Sequence, residues 1–486
     1  MDGHWLFYGL IKMKTKTKNN NIIKKLKHNS LTLGLIIFFG IAWSWVFFTD
    51  LLELAGSKIQ GLILAIIISA IIIGLSVVIL RLGIKINKGV YKKYNFITAT
   101  LFALAVFALA DFLVAWLTAL FWIGPEGRLD SILPLSSPAL IAINTPFAYA
   151  SRLIGFYGLA SFVWLVVFLL FTKRYKIALS VTILLSAISM AGWYPYKNTS
   201  GSTFTANVIS EALDNRINPV NVSADDVSLT VFPEYGLDKI TNESLSDRIY
   251  SKDNKKHFFI GSEQVIPSDK VGHYNRLLFG NTTDGYTNKQ NKYRLIPGGE
   301  DLPYILRLGL RATNQKNTLD YFSYAKGTLK GPHQLTPFRI DGGTVVGSAV
   351  CSSIISPEDY RHFAKNGSTI FTNSASLSIF QGSSVFSYQQ KSLAKFMAVA
   401  NSRYFLQSAN KARAFILDNN GKTLAEGIDQ KLLTNTVANN TTKTPYSLVG
   451  EWMVVAGAIA VTYIIIKGKL SPNKSSRRKN KNSKKA

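Results

Sequence analysis

Hydrophobic and polar positions divide the chain into two regimes. Long apolar stretches cover residues 31–52, 59–82, 96–122, 153–172 and 177–193, and one more covers 448–466. Each approaches or exceeds the roughly 20 residues that a helix needs to cross a bilayer. The first stays uncharged until Asp50 and has no small-residue cleavage site after a short apolar core. It therefore reads as a retained anchor, not a signal peptide. Between 195 and 447 the pattern changes. Short β-type runs at 227–232, 257–260, 275–279 and 344–350 are separated by clusters of Asn, Ser, Gly and Asp, which is strand-and-turn punctuation. Helical stretches at 357–365 and 389–401 lie among them. Alternating strands and helices predict a layered α/β domain with its sheet inside.

Composition and charge turn this pattern into a topology. The 486 residues are 47% hydrophobic and carry a net charge of +27, too apolar a balance for an ordinary soluble enzyme. A strongly basic chain suggests nucleic acid or anionic lipid as a partner, and the location of the charges decides. Lysines fill 11–30, and Lys85, Lys88, Lys92 and Lys93 follow the second apolar stretch. Lys173, Arg174 and Lys176 separate the fourth from the fifth, and the tail after 466 is dense in Lys and Arg. Cytoplasmic loops carry the excess of positive charge. A cytoplasmic N-terminus puts every one of these clusters on one face.

The expected organisation is then a basic cytoplasmic segment 1–30 and a membrane domain 31–194 with five spans. An extracytoplasmic domain 195–447, a C-terminal span 448–466 and a basic cytoplasmic tail 467–486 follow. The basic tail is explained by topology and anionic lipid, and nucleic acid is not an expected partner. Asp111, in mid-span, is either an interhelix hydrogen-bonding group or a residue near substrate. The amphipathic loop 124–150 reads as an interfacial lid, a re-entrant segment or a plain packed loop.

No dinucleotide or phosphate-binding glycine loop, no Gly-x-Ser-x-Gly elbow and no HExxH is found, and the six histidines show no ligand spacing. This argues against nucleotide, zinc and Ser-His-Asp chemistry; no cofactor or metal is expected. A Cys–His pair using His333 or His362 stays open. The chain has one cysteine, so no intramolecular disulfide can form. Cys351 ends the β-branched run 344–350. A strand that carries a thiol at its tip holds a nucleophile rigidly; a buried thiol can equally be a small hydrophobe. Two other stretches bear on the choice. In Phe232-Pro233-Glu234 an apolar run stops at a proline and presents a carboxylate. In 292–303 Lys292 precedes a Pro-Gly-Gly turn and Glu300 follows it.

Phe-Pro-Glu, then Lys-x-x-Leu-Ile-Pro-Gly-Gly-Glu, then a strand-borne cysteine, in that order, resembles the carbon–nitrogen hydrolase (nitrilase) superfamily. The flanking spans, the run Leu-Ile-Pro-Gly-Gly-Glu-Asp-Leu-Pro and the stretch 152–159 are similar to its apolipoprotein N-acyltransferase branch. The resemblance covers most of 120–465. It implies a nitrilase-like α-β-β-α sandwich outside the membrane, joined to a multi-pass α-helical membrane domain. It implies a Glu-Lys-Cys triad at Glu234 (general base), Lys292 (oxyanion stabiliser) and Cys351 (nucleophile), with Glu300 and Ser352 in support. The implied reaction takes an acyl chain from a phospholipid, through a Cys thioester, to the amine of a diacylglyceryl-cysteine lipoprotein. Three departures stand out, the first being fewer spans than that branch usually has. Ser352 and Ser353 replace an aromatic and a glutamate after the cysteine, and Ser374, Ala375 and Ser376 replace an acidic residue and a tryptophan after Asn373. The alternatives are a membrane-anchored amidase with water as acceptor and an inactive relative acting as a membrane scaffold.

Overall fold

The computed structural model describes residues 58–122, 137–196, 201–211, 220–223, 226–237, 248–250, 256–269, 272–296, 300, 302, 304–320, 328–340, 343–378 and 384–470. The expected segments 1–30 and 31–52, residues 124–136 of the 124–150 loop and the tail beyond 470 lie outside these residues.

The described helices are α1 (Lys58–Lys93), α2 (Phe96–Trp122), α3 (Ala139–Ile143), α4 (Ser151–Phe171), α5 (Tyr175–Trp193), α6 (Tyr304–Ala312), α7 (Lys316–Asp320), α8 (Pro357–Lys365), α9 (Ser384–Asn401), α10 (Pro445–Val449) and α11 (Trp452–Leu470). Three are long and apolar enough to cross a membrane: Phe96–Leu117, Pro146–Leu170 and Tyr175–Tyr196. The apolar stretch Trp452–Lys467 is shorter. α2 packs against α1, α4 and α11. The outward faces stay apolar, with Leu179, Ile183 and Met190 exposed on α5 and Val455, Ile459 and Ile466 on α11.

Two helix bounds differ from the hydropathy pattern for local reasons. α1 runs to Lys93, past the apolar stretch ending at 82, because lysines and arginines are good helix formers even where they end a hydrophobic run. At the C-terminal end, Gly450 with φ +69 closes α10, and α11 begins at Trp452. Glu451, between them, turns its carboxylate to α4, where Gly155 (φ +72) interrupts the helix. It accepts the freed Phe156 and Tyr157 N–H groups at 2.8 and 3.1 Å, as a capping carboxylate does. Asp111 has a structural setting. One carboxylate oxygen accepts the Trp164 indole N–H at 2.8 Å and the other the Ser137 hydroxyl at 2.7 Å, so it joins α2 to α4.

The strands are β1 (Thr203–Glu211), β2 (Val222–Ser223), β3 (Leu229–Val231), β4 (Ile249–Tyr250), β5 (Phe258–Val265), β6 (Tyr274–Asn281), β7 (Gly285–Asn291), β8 (Phe338–Arg339), β9 (Val345–Val350), β10 (Ile370–Ser376), β11 (Tyr404–Asn410), β12 (Ala414–Leu417), β13 (Thr423–Gly427) and β14 (Lys431–Ala438). β2 and β4 pair with each other. The other strands form one sheet along the path β7-β6-β5-β3-β1-β11-β10-β9-β8, with β14 on β1 and β12-β13 on β11. β5, β3, β1, β11, β10 and β9 run parallel. β1 and β11 meet only at their carboxyl ends, Ser210 with Ala409 and Glu211 with Asn410. Elsewhere β1 pairs with β14 and β11 with β12. The sheet therefore splays into two halves that face each other across one core containing Val208, Val231, Phe279, Phe338, Val346 and Leu406. Phe279 of β6 stacks on Phe338 of β8 with ring centroids 4.8 Å apart, so the halves almost close at the opposite edge.

β9 is buried at all six positions, as expected for a parallel strand covered on both faces. At Gly347 a Cβ would come within 2.7 Å of the Phe363 Cβ, which lets α8 lie close on β9. α8 starts with Pro357, has Glu358 and Asp359 in its first turn and His362 and Lys365 in its last, the charge order that suits a helix dipole. Outside the β9–β12 half, Tyr360, Phe363, Phe371, Phe396 and Phe405 share one continuous core with Phe156, Trp164 and Leu165 of the apolar helices.

Arg152 fixes this junction. Its buried guanidinium donates to the carbonyls of Val399 (3.0 Å), Gly192 (3.0 Å) and Asn419 (2.6 Å) and to the Asn420 side-chain oxygen (3.0 Å). Lysine has no planar fork to reproduce this, and each abandoned buried acceptor costs about 1–3 kcal/mol. Arg152→Met and Arg152→Lys are both expected to lower the thermal unfolding midpoint in detergent, Met by more. An unchanged midpoint in Arg152→Met would show that the guanidinium does not hold the helices to the α/β domain.

Candidate active site

Glu234, Lys292 and Cys351 each sit just beyond the carboxyl end of a strand. β3 ends before Phe232 and Pro233, and proline has no N–H with which to continue the ladder. The chain turns there, with Tyr235 at φ +64. The Glu234 N–H donates to the Ala375 carbonyl of β10 at 3.1 Å, and the Asn410 side chain donates to the Glu234 carbonyl. Lys292 follows β7 directly; its N–H donates to the Asn275 carbonyl at 2.6 Å and its carbonyl accepts from Gly331 N–H at 2.8 Å. Cys351 follows β9 with φ +43 and opens a 3₁₀ turn, Cys351–Ile355. A left-handed backbone at a residue with a side chain costs on the order of 1–3 kcal/mol and persists only when its surroundings hold it. Here it lies at the residue carrying the thiol.

The side chains converge. Lys292 Nζ donates to Glu234 Oε1 at 3.0 Å and to Glu300 Oε1 at 2.7 Å. The other Glu300 oxygen accepts the Ile296 N–H at 2.8 Å. The Asn275 side chain donates to Glu234 Oε1. The thiol donates to the Ser376 carbonyl at 3.4 Å and lies near enough to the Glu234 carboxylate to feel its charge. Relative exposures of 2% for Glu234, 3% for Lys292 and 3% for Cys351 make this a desolvated cluster.

Desolvation sets the protonation states. Burial raises the Glu234 pKa above the usual carboxylate range; Lys292 pulls it down and Glu300 pushes it up again. Burial and the Glu234 charge together hold the Cys351 pKa well above that of an ordinary thiol, with Lys292 opposing. Burial alone would depress Lys292, but Glu234 and Glu300 outweigh it and leave the ammonium firmly protonated. The cluster thus joins a thiol and a carboxyl, whose pKa values are both raised, to an ammonium held charged by its two carboxylate neighbours.

Ser352 donates its hydroxyl to the Arg294 carbonyl. The Arg294 guanidinium forms a buried two-point ion pair with Asp359 of α8, 2.8 Å at the Nη2 contact. His333 lies 3.9 Å from that carboxylate and packs on Tyr293, and His362 occupies the last turn of α8. The thiol donates to the Ser376 carbonyl and to neither histidine. Lys330 sits 5.1 Å over the Tyr293 ring; Lys326 and the Pro-Gly-Gly turn lie outside the described residues. Asn275, Asn410 and the Arg294–Asp359 pair belong to the site but carry no motif of their own. Arg294, two residues after Lys292, was the nearest available signal. Among the described residues no group of three or more His, Cys, Asp or Glu side chains could hold a metal ion.

The neighbouring charge makes a pH profile a direct test. The Cys351 thiol, measured by iodoacetamide alkylation, is expected to gain reactivity only on the alkaline side, with no plateau near neutrality. Glu234→Gln removes a negative charge that raises the thiol pKa, so the profile should move to lower pH. A shift to higher pH would contradict the assigned electrostatics.

Residues 248–445 match the carbon–nitrogen hydrolase family. Lys292 and Cys351 fall inside the matched segment and Glu234 precedes it. No curated protein matches the chain. Among solved structures it is similar to Nit3 of Saccharomyces cerevisiae, a member of branch 10 of the nitrilase superfamily, at 14% identity over 49% of this chain and 91% of that one, TM-score 0.35. It is also similar to a carbon–nitrogen hydrolase from Helicobacter pylori G27, at 12% identity over 49% and 89%, TM-score 0.33. A third similar structure is an amidase of the nitrilase superfamily from Nesterenkonia AN1, at 11% identity over 49% and 92%, TM-score 0.32. Residues 248–445 are thus a carbon–nitrogen hydrolase domain, in an α/β fold of nitrilase type.

Proposed function

We propose that this protein is a membrane N-acyltransferase of the apolipoprotein N-acyltransferase kind. It takes an acyl chain from a phospholipid and delivers it to the α-amine of a diacylglyceryl-cysteine lipoprotein or lipopeptide. One observation carries the reading. The chain's single cysteine meets Glu234 and Lys292 at strand ends whose covering helices share a continuous core with apolar, membrane-length helices. A lipid ester cannot be presented from water, and a soluble amidase has no use for such a base.

In this proposal Glu234 accepts the thiol proton as sulfur attacks the ester carbonyl. Lys292 and the N–H following Cys351 stabilise the oxyanion. The ester C–O bond breaks, and Glu234 returns the proton to the glycerol oxygen, releasing a lysophospholipid and leaving a thioester on Cys351. The acceptor amine then attacks the thioester carbonyl and loses a proton to Glu234. Collapse of the adduct expels the sulfur, which recovers that proton. Glu300 accepts a second hydrogen bond from the Lys292 ammonium and so orients it. The basic clusters at 85–93, 173–176 and 467–486 support a cytoplasmic location for both termini and an extracytoplasmic site. The carbon–nitrogen hydrolase match favours one other reading, in which water resolves the thioester of a membrane-anchored amidase.

Incubation with labelled phospholipid and a diacylglyceryl lipopeptide separates the two. N-acylated peptide supports transfer, and free fatty acid alone would overturn it in favour of hydrolysis. Intact mass should show an acyl adduct on the wild type that Cys351→Ala lacks entirely. Glu234→Gln is expected to slow turnover by about 10²–10⁴-fold, the usual range for a general base. An adduct persisting in Cys351→Ala would sink the thioester.

A further inference from the structure

We infer that Ser352, Arg294 and Asp359 act as one positioning unit that sets the two oxyanion donors against each other; the inference rests on the acyl-thioester reading above. The two donors come from different parts of the chain. Lys292 stands at the end of β7, and the N–H after the nucleophile belongs to Ser352, in the 3₁₀ turn beyond β9. No strand pairing sets these ends in register: β7 and β9 lie near opposite ends of the sheet path, which approach each other only through side-chain packing such as Phe279 on Phe338.

The Ser352 hydroxyl closes the gap. It donates to the carbonyl of Arg294, two residues after Lys292, and so ties the turn bearing one donor to the segment bearing the other. Arg294 is held in turn by its two-point ion pair with Asp359, whose exposure is 3%. Planar guanidinium–carboxylate pairing fixes orientation as well as distance. Asp359 lies in the first turn of α8, eight residues after Cys351. The unit thus forms a loop, from Cys351 through α8 to Asp359, across to Arg294 and back through Ser352. Asp359 stays ionised within it: burial alone would raise its pKa, but Arg294 outweighs burial and lowers it. None of the three needs to touch substrate through its side chain.

The test compares two reactions of the same thiol. Acylation by a p-nitrophenyl ester builds an oxyanion; alkylation by iodoacetamide does not. In Ser352→Ala, single-turnover acylation per titratable thiol should fall about five- to tenfold, the effect of one neutral hydrogen bond, with alkylation unchanged. Arg294→Lys, which keeps the charge but not the fork, should lose less acylation than Arg294→Met. Ser352→Ala and Asp359→Asn should combine to less than the product of their separate losses, as members of one unit do. Acylation and alkylation falling in parallel, multiplicative losses, or full acylation in Ser352→Ala would each overturn the proposal. Because the ester donor needs no lipid site, failure of phospholipid to acylate a wild type that the ester does acylate would count against the lipid reading alone. A wild type acylated by neither would overturn both.

Discussion

One ammonium buried between two carboxylates, beside a neutral thiol, is the constraint on which the rest of the structure depends. Lys292 is paired at 3.0 and 2.7 Å with Glu234 and Glu300, and none of the three has meaningful access to water. Taking such groups out of water costs several kcal/mol per ion, and removing one partner from a buried pair typically destabilises by about 3–5 kcal/mol. The arrangement persists because each partner is held from a second direction. Asn275 supports Glu234, and the Ile296 N–H supports Glu300. Burial and the Glu234 charge together hold the Cys351 thiol well above its ordinary pKa, with Lys292 opposing them.

The strand ends deliver this cluster. β1 and β11 touch only at their carboxyl ends, so the two sheet halves diverge from a seam at the level of this cluster. Ser408 crosses that seam: its hydroxyl donates to the Val231 carbonyl of β3 and accepts the Ile209 N–H of β1 at 2.9 Å. Parallel sheets place their ligands beyond the carboxyl ends of strands, where the connections separate. The left-handed backbone at Tyr235 and Cys351 is tolerated there because β10 and β11 pin the neighbouring groups: Ala375 and Asn410 hold Glu234, and Ser376 holds the thiol.

The helices are coupled to this seam as tightly as the strands are to one another. Arg152 reaches from α4 to the carbonyls ending α5 and α9 and to the 419–420 turn, and Glu451 caps the interrupted α4 from the start of α11. Much of the fold could be read in advance. The apolar runs at 59–82, 96–122, 153–172, 177–193 and 448–466 are helical for most of their length, and the α8 bounds followed from Pro357 and the helical pattern to Lys365. The three candidate residues could be singled out from a proline after an apolar run, a lysine before Pro-Gly-Gly and a cysteine after a β-branched run, and the structure brings Glu234, Lys292 and Cys351 into one buried cluster. Asn275, Asn410, Arg294 and Asp359 could not be singled out in this way. Each is an ordinary polar residue whose importance comes from a partner more than 40 residues away.

The amino-acid order by itself determined which segments are apolar enough for helices, where strands must stop, and which residue could be a thiol nucleophile. These are properties of neighbours within a few positions, set by backbone sterics and side-chain polarity. Only the tertiary structure decided that Asp111 is a hydrogen-bonded tie between helices and that Cys351 is buried beside the Glu234–Lys292 pair. It also decided that Ser352 binds the segment carrying Lys292. Those outcomes depend on distances between residues far apart in the chain, and on how completely water is removed from between them, which no local pattern encodes.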